Sequence, residues 1–401
     1  MWFDWLSLFL RWFHVIAGVA WIGASFYFIW LDNNLQTPPD WKDKKGIKGD
    51  LWAVHGGGFY EVAKYKYGPE KLPETLHWFK WEAYTTWISG FCLLVLVYYF
   101  GASAYLIDNN VMELAPGSAI GLGLALIFGG LALYEIACRS PLGRHPKLFA
   151  VVFLIGISIA TWLATQWFSG RGAFIHIGAL IGTIMAGNVL LQIMPSQRAM
   201  VNAVEKQLPV DPSWGEKAKL RSVHNNYLTL PVLFIMISNH YPMTYQHPNS
   251  WLILILIGIV SAWIRHFFNL RHLGQTKPAI LVSASIAMLA IAIWVSNPDL
   301  LRDNTDVPAE QQAERIVPTD ARIQQLITTH CVSCHASEPT DEMFKVAPMG
   351  LVFDAWQDIQ SKAGFIYQRT SISKDMPFLN KTKMTDAERE EIANWYLLAP
   401  N

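Results

Sequence analysis

The sequence predicts an all-α protein in two parts: a polytopic membrane bundle of eight helices with both ends outside, then a small soluble helical domain. Three observations carry this. Charged residues make up 15% of 401 and apolar residues 52%, with 18 tryptophans, the balance of a membrane protein with a soluble appendage. Apolar runs near the roughly 20 residues needed to cross a bilayer recur along residues 1–296. After residue 317 such runs stop, and Cys331-Val332-Ser333-Cys334-His335 stands between two amphipathic segments. A net charge of zero gives no footing to nucleic acid as a partner.

The predicted spans lie near 5–31, 78–100, 118–138, 147–168, 172–194, 225–240, 251–269 and 278–296. The first lacks a basic leading region, carries Asp4 and Arg11 and is too long for a signal peptide, so it is read as an uncleaved helix. The sixth is the shortest, broken by Pro231 and ending at Asn239-His240. Segments 32–80, 139–147, 198–221 and 265–277 hold nineteen Lys and Arg, whereas the alternate loops hold only Arg171. Basic loops stay in the cytoplasm, so both termini are predicted outside.

Within the long inner segment 32–77, Gly56-Gly57-Gly58 allows either an anion-binding backbone nest or a simple turn. Residues 297–317 read as a linker and 318–401 as a separate domain. There the Cys-x-x-Cys-His run is the attachment signature of c-type haem: two sulfurs bond the haem vinyl groups and the histidine reaches the iron. Zinc would need a second ligand pair, but Cys92 and Cys138 sit in distant apolar runs. Thr319–His330 predicts a helix with Ile323, Leu326 and Ile327 on one face, and Thr385–Leu398 one that opens with a capping box and buries Ile392, Trp395 and Tyr396. Between them Met376-Pro377 offers a thioether to the far side of the iron, in competition with Met343, Met349 and Met384. The domain is therefore expected to be a class I-like cytochrome c on the periplasmic side.

Ionisable residues inside a membrane are costly unless they do something. Counted along the spans, His14, His176 and His240 fall in the outer half. Glu82, Glu135, Asn188, Gln192, His224, Asn225, Arg265 and His266 fall in the inner half. His14 and His176 are candidates for a second, b-type haem, with hydrogen bonds to neighbouring helices as the alternative. The inner set suits a planar anion: Arg265 supplies a fork, Gln192 or Asn188 an amide, and Glu82 or Glu135 a proton acceptor, with His266 counted among the catalytic candidates. Snorkelling of Arg265 to headgroups is the plainer reading.

The stretches Asp50-Leu51-Trp52-Ala53-Val54-His55-Gly56-Gly57-Gly58-Phe59-Tyr60 and His77-Trp78-Phe79-Lys80-Trp81-Glu82-Ala83-Tyr84-Thr85-Thr86-Trp87, followed by the haem motif and Met376-Pro377, resemble the bacterial membrane-bound urate oxidases, or urate hydroxylases. The resemblance implies oxidation of urate to 5-hydroxyisourate. Electrons would leave through the fused cytochrome to a periplasmic cytochrome or terminal oxidase of the respiratory chain. A single c haem accepts one electron at a time, so turnover needs two sequential steps or a second redox centre. The bilayer core, about 30 Å thick, would demand such a centre if urate bound on the cytoplasmic side. A membrane-anchored electron-carrier subunit is the competing function, and it would tolerate neutral replacements of Glu82 and Glu135.

Overall fold

The computed structural model describes residues 2–108, 111–297, 317–341, 344–372, 374 and 376–398. It divides into two compact units, Met1–His240 with Asn249–Ile293, and Tyr241–Pro248 with Trp294–Asn401. Most of the predicted linker falls outside the described residues.

The first unit is a helical bundle with one hairpin. Its helices are α1 (Trp2–Asn34), α2 (Trp81–Leu93), α3 (Pro116–Arg139), α4 (Pro146–Trp167), α5 (Gly170–Asn188), α6 (Met194–Glu205), α7 (Pro212–Ser238), α8 (Ser250–His272) and α9 (Pro278–Ser296). Among the described residues, six helical stretches are long and apolar enough to cross a membrane: α1, α3, α4, the continuous Gly170–Glu205, α8 and α9. Two predicted spans fall short of that standard. α2 gives way at Leu94 to wider π-helical turns (Leu94–Tyr99, Ala102–Leu106), and α7 begins with Lys217, Lys219 and Arg221. Large apolar side chains such as Leu8, Val19, Ile155 and Leu289 point outward, which a hydrocarbon surround favours and water would penalise.

The expectation of an all-α chain needs one correction. Ile47–His55 and Gly58–Tyr65 pair as an antiparallel hairpin, β1 and β2, in which His55 faces Gly58. Gly56 and Gly57 have φ of 57° and 80°, the left-handed pair that a two-residue type I′ turn requires. The glycines therefore serve a turn here. Lys42, buried at the hairpin's base, bonds both Asp50 and Glu61.

The second unit contains α10 (Asp320–His330), α11 (Trp356–Ser361), α12 (Ala363–Tyr367) and α13 (Asp386–Leu398). Ile323, Leu326 and Ile327 of α10 pack with Ile392 and Trp395 of α13 in one core. The capping box forms: the Glu388 carboxylate accepts from the Thr385 backbone N–H at 2.7 Å, and the Thr385 hydroxyl accepts from Glu388 N–H at 3.2 Å. Tyr396, expected inside, is 44% exposed and stacks on Tyr367 at the surface, because α13 buries a stripe only as wide as Ile392 and Trp395.

Candidate functional sites

In the second unit α10 ends at a tight turn, where the His335 N–H donates to Cys331 O at 2.9 Å. The turn puts Cys331, Cys334 and His335 on the wall of a pocket with about 920 Å³ of atom-free space. His335 Nδ1 lies 3.0 Å from the Leu351 carbonyl. A carbonyl only accepts, so Nδ1 carries the proton and Nε2 keeps the free lone pair, the arrangement second-shell partners impose on metal-binding histidines. Burial lowers the His335 pKa and keeps the ring neutral. Burial pushes the Cys331 thiol up to about 12. Among the described residues, no group of three or more His, Cys, Asp or Glu could hold a bare ion. Met376 and Met349 line the pocket, whereas Met384 is 2% exposed in the core and Met343 lies outside the described residues. Two thiols, a neutral imidazole and a thioether around one apolar pocket are a donor set that fits a c-type haem.

The first unit brings its polar residues together in two clusters. In one, Glu135 on α3 accepts from Arg221 on α7 at 2.7 and 3.2 Å, and from Arg139 at 3.2 Å. Arg221 also donates to Asn188 Oδ1 at 2.7 Å. Asn188 Nδ2 in turn bonds Tyr134 OH at 3.0 Å and Asn225 Oδ1 at 2.7 Å, and Tyr134 OH meets His224 Nδ1 at 2.7 Å. Both oxygens of Glu135 are thus committed to cations, and this carboxylate acts as a counter-ion.

The second cluster is left open. Asn226 Oδ1 accepts from Arg265 Nε at 3.1 Å and from Asn269 Nδ2 at 2.8 Å. The Arg265 guanidinium stacks 3.9 Å from the centre of the Phe26 ring. Arg265 is 5% and Asn226 0% exposed. Arg265 Nη2, Asn226 Nδ2 and Asn269 Oδ1 are all buried with no partner among the described residues. Asn225, Asn226 and Asn269 line a wide, open pocket of about 660 Å³, together with the aromatic rings of Trp21, Phe28, Trp78 and Phe79.

The other predicted site residues are scattered around these clusters. His266, next to Arg265, turns aside to Tyr227 OH at 2.7 Å and stacks on Trp263. Gln192 donates to Ser196, one turn along its own helix. Glu82, in the first turn of α2, buries Oε2 with no partner among the described residues.

The outer histidines His14 and His176 each bond partners of their own. His14 Nδ1 lies 3.1 Å from Thr86 O and 3.0 Å from Ser89 Oγ on α2. His176 Nδ1 lies 2.8 Å from Gly172 O, within a cage of Tyr98, Tyr99 and Phe168. A Cβ built on Gly123 would stand 2.5 Å from His176 Nε2, so only glycine lets α3 pack this closely against the ring. Among the described residues the two rings share no partner, and His176 Nε2 is buried without one.

Sequence reasoning passed over Arg221, Asn226 and Asn269. The spacing of Asn269, four residues after Arg265, was the available signal, since it puts both on one face of α8.

The fold and clusters define a helical bundle with helices long and apolar enough to cross a membrane, and a wide aromatic-walled pocket edged by Asn225, Asn226 and Asn269. The family model for the urate oxidase N-terminal region matches residues 1–296, most of the chain, and the chain belongs to that family. No curated protein and no solved structure matches it.

Proposed function

We propose that the protein is a membrane-bound urate oxidase that converts urate to 5-hydroxyisourate and passes the electrons to its own c-type haem. The observation that carries the reading is the family match over the whole helical unit, joined in one chain to the Cys331, Cys334, His335 and Met376 pocket. In this proposal all eight predicted helices span a bacterial inner membrane, residues 1–296 form the catalytic domain, and 318–401 form a cytochrome domain on the periplasmic side. A haem held there supplies one-electron acceptance, and a periplasmic cytochrome or terminal oxidase removes the electrons.

The reaction takes urate and water to 5-hydroxyisourate, two electrons and two protons. The chain's part is to hold the anion and accept a proton. Glu82, with a buried oxygen left open, is the proposed proton acceptor, since Glu135 is already paired with Arg221 and Arg139. If the cavity faces the cytoplasm, the bilayer core of about 30 Å requires a relay to the c haem.

Purified protein mixed with urate under argon should develop the reduced α band of its c haem, and Glu82→Gln should slow that reduction by about 10²-fold at unchanged haem content. No band in the parent protein would remove the assignment, and an unchanged rate in Glu82→Gln would remove the base. A pyridine haemochrome assay on the same sample counts c and b haems, and so detects a haem relay.

A further inference from the structure

We infer that Arg265, Asn226 and Asn269 form the recognition site for the polar edge of a planar, anionic N-heterocycle, which deepens the urate reading and rests on it. Three helices build the site. Arg265 and Asn269 stand one turn apart on α8, Asn226 reaches them from α7, and Phe26 of α1 lies under the guanidinium. The amide orientations follow from the arginine. Arg265 Nε can only donate, so Asn226 must present its oxygen, and Asn269 facing that same oxygen must present its NH2. The unpartnered remainder is therefore defined: two donors, Asn226 Nδ2 and Arg265 Nη2, and one acceptor, Asn269 Oδ1, with Asn226 and Asn269 on the pocket wall and Arg265 buried behind them.

Leaving three buried polar atoms open costs about 1–3 kcal/mol each, so a partner is expected. No carboxylate among the described residues bonds Arg265, unlike Arg221 with Glu135. A ligand that supplies negative charge meets that need. A simple carboxylate would present acceptors alone and would set one against Asn269 Oδ1, and phosphate, though it carries a hydroxyl donor, has no flat edge on which donor and acceptor alternate. An oxidised purine edge alternates C=O and ring N–H, and so satisfies both donors and the acceptor. The aromatic walls of the cavity, with Trp21 and Trp78 among them, offer faces for its ring.

Asn226→Asp separates recognition from structure. The new carboxylate would pair with Arg265 inside the protein, so the fold should hold its melting temperature or gain. The site would meanwhile lose a donor and its open charge. Calorimetric titration of the full-length, haem-loaded protein, with the haem reduced beforehand so that no electron can leave urate, reads binding alone. The parent should bind urate and xanthine. Asn226→Asp and Arg265→Gln should weaken both at least tenfold, and inorganic phosphate should not displace them. Variants that bind as tightly as the parent would overturn the site, as would phosphate that competes as well as xanthine, or a parent that binds neither purine. Xanthine binding that Asn226→Asp removes, in a protein whose oxidised haem urate never reduces, would leave the site standing and sink the oxidase reading instead.

Discussion

Cys331→Ala combined with Cys334→Ala is expected to abolish covalent haem and, with it, all urate-dependent electron transfer. Each thioether holds the group independently of the iron, so haem should disappear from denaturing gels, where non-covalent haem is lost from any variant. His335→Ala should act differently: attachment persists, but the ring fixed by the Leu351 carbonyl is gone and no neutral imidazole replaces it. His330 is the nearest substitute along the pocket wall, and it is already bonded to Thr382 Oγ1 at 2.7 Å and to Glu388 at 3.4 Å. Met376→Ala should keep the haem, lower its potential and remove the long-wavelength band of a methionine–iron bond. Haem staining that survives in the double cysteine variant would refute the attachment site. A methionine–iron band that survives in Met376→Ala would move the axial role to Met349, the other described methionine on the pocket wall.

The grouping of Cys331, Cys334 and His335 on one pocket was legible because they sit within five consecutive residues, and the flanking helices because Ile323, Leu326 and Ile327 keep the helical period. The apolar runs were legible for the same reason. What escaped was whatever depends on partners distant in the chain. Glu135 reads in sequence as a free acid inside a span, and only the fold brings in Arg221 from 86 residues away. Asn226 reads as the edge of a polar helix start, yet it organises both Arg265 and Asn269. The hairpin was missed for a local reason. A Gly-Gly pair between strand-forming runs signals a type I′ turn, but the three-glycine run equally suits a nest, and the register of β1 on β2 decides between them.

Glu135→Gln should destabilise the helical unit by about 3–5 kcal/mol, because it strands the buried Arg221 guanidinium without its carboxylate. At roughly 2 °C per kcal/mol for a chain of this size, the melting midpoint should fall by about 6 °C or more. Arg221→Leu should cost a similar amount from the other side, leaving Glu135 with only the exposed Arg139. The double variant Glu135→Leu with Arg221→Leu should recover part of the loss, since an apolar pair carries no stranded charge. Recovery should stay incomplete, because Asn188 Oδ1 loses its donor and Tyr134 loses the guanidinium 5.0 Å from its ring centre. The pair should therefore show a coupling energy of about 0.5–3 kcal/mol in a double-mutant cycle. Turnover separates this role from catalysis. The folded fraction of Glu135→Gln should reduce its haem with urate within a few-fold of the parent rate, whereas Glu82→Gln should not. A Glu135→Gln protein that melts with the parent but fails to turn over would reverse the assignment, making Glu135 the proton acceptor and Arg221 the group that holds it ionised.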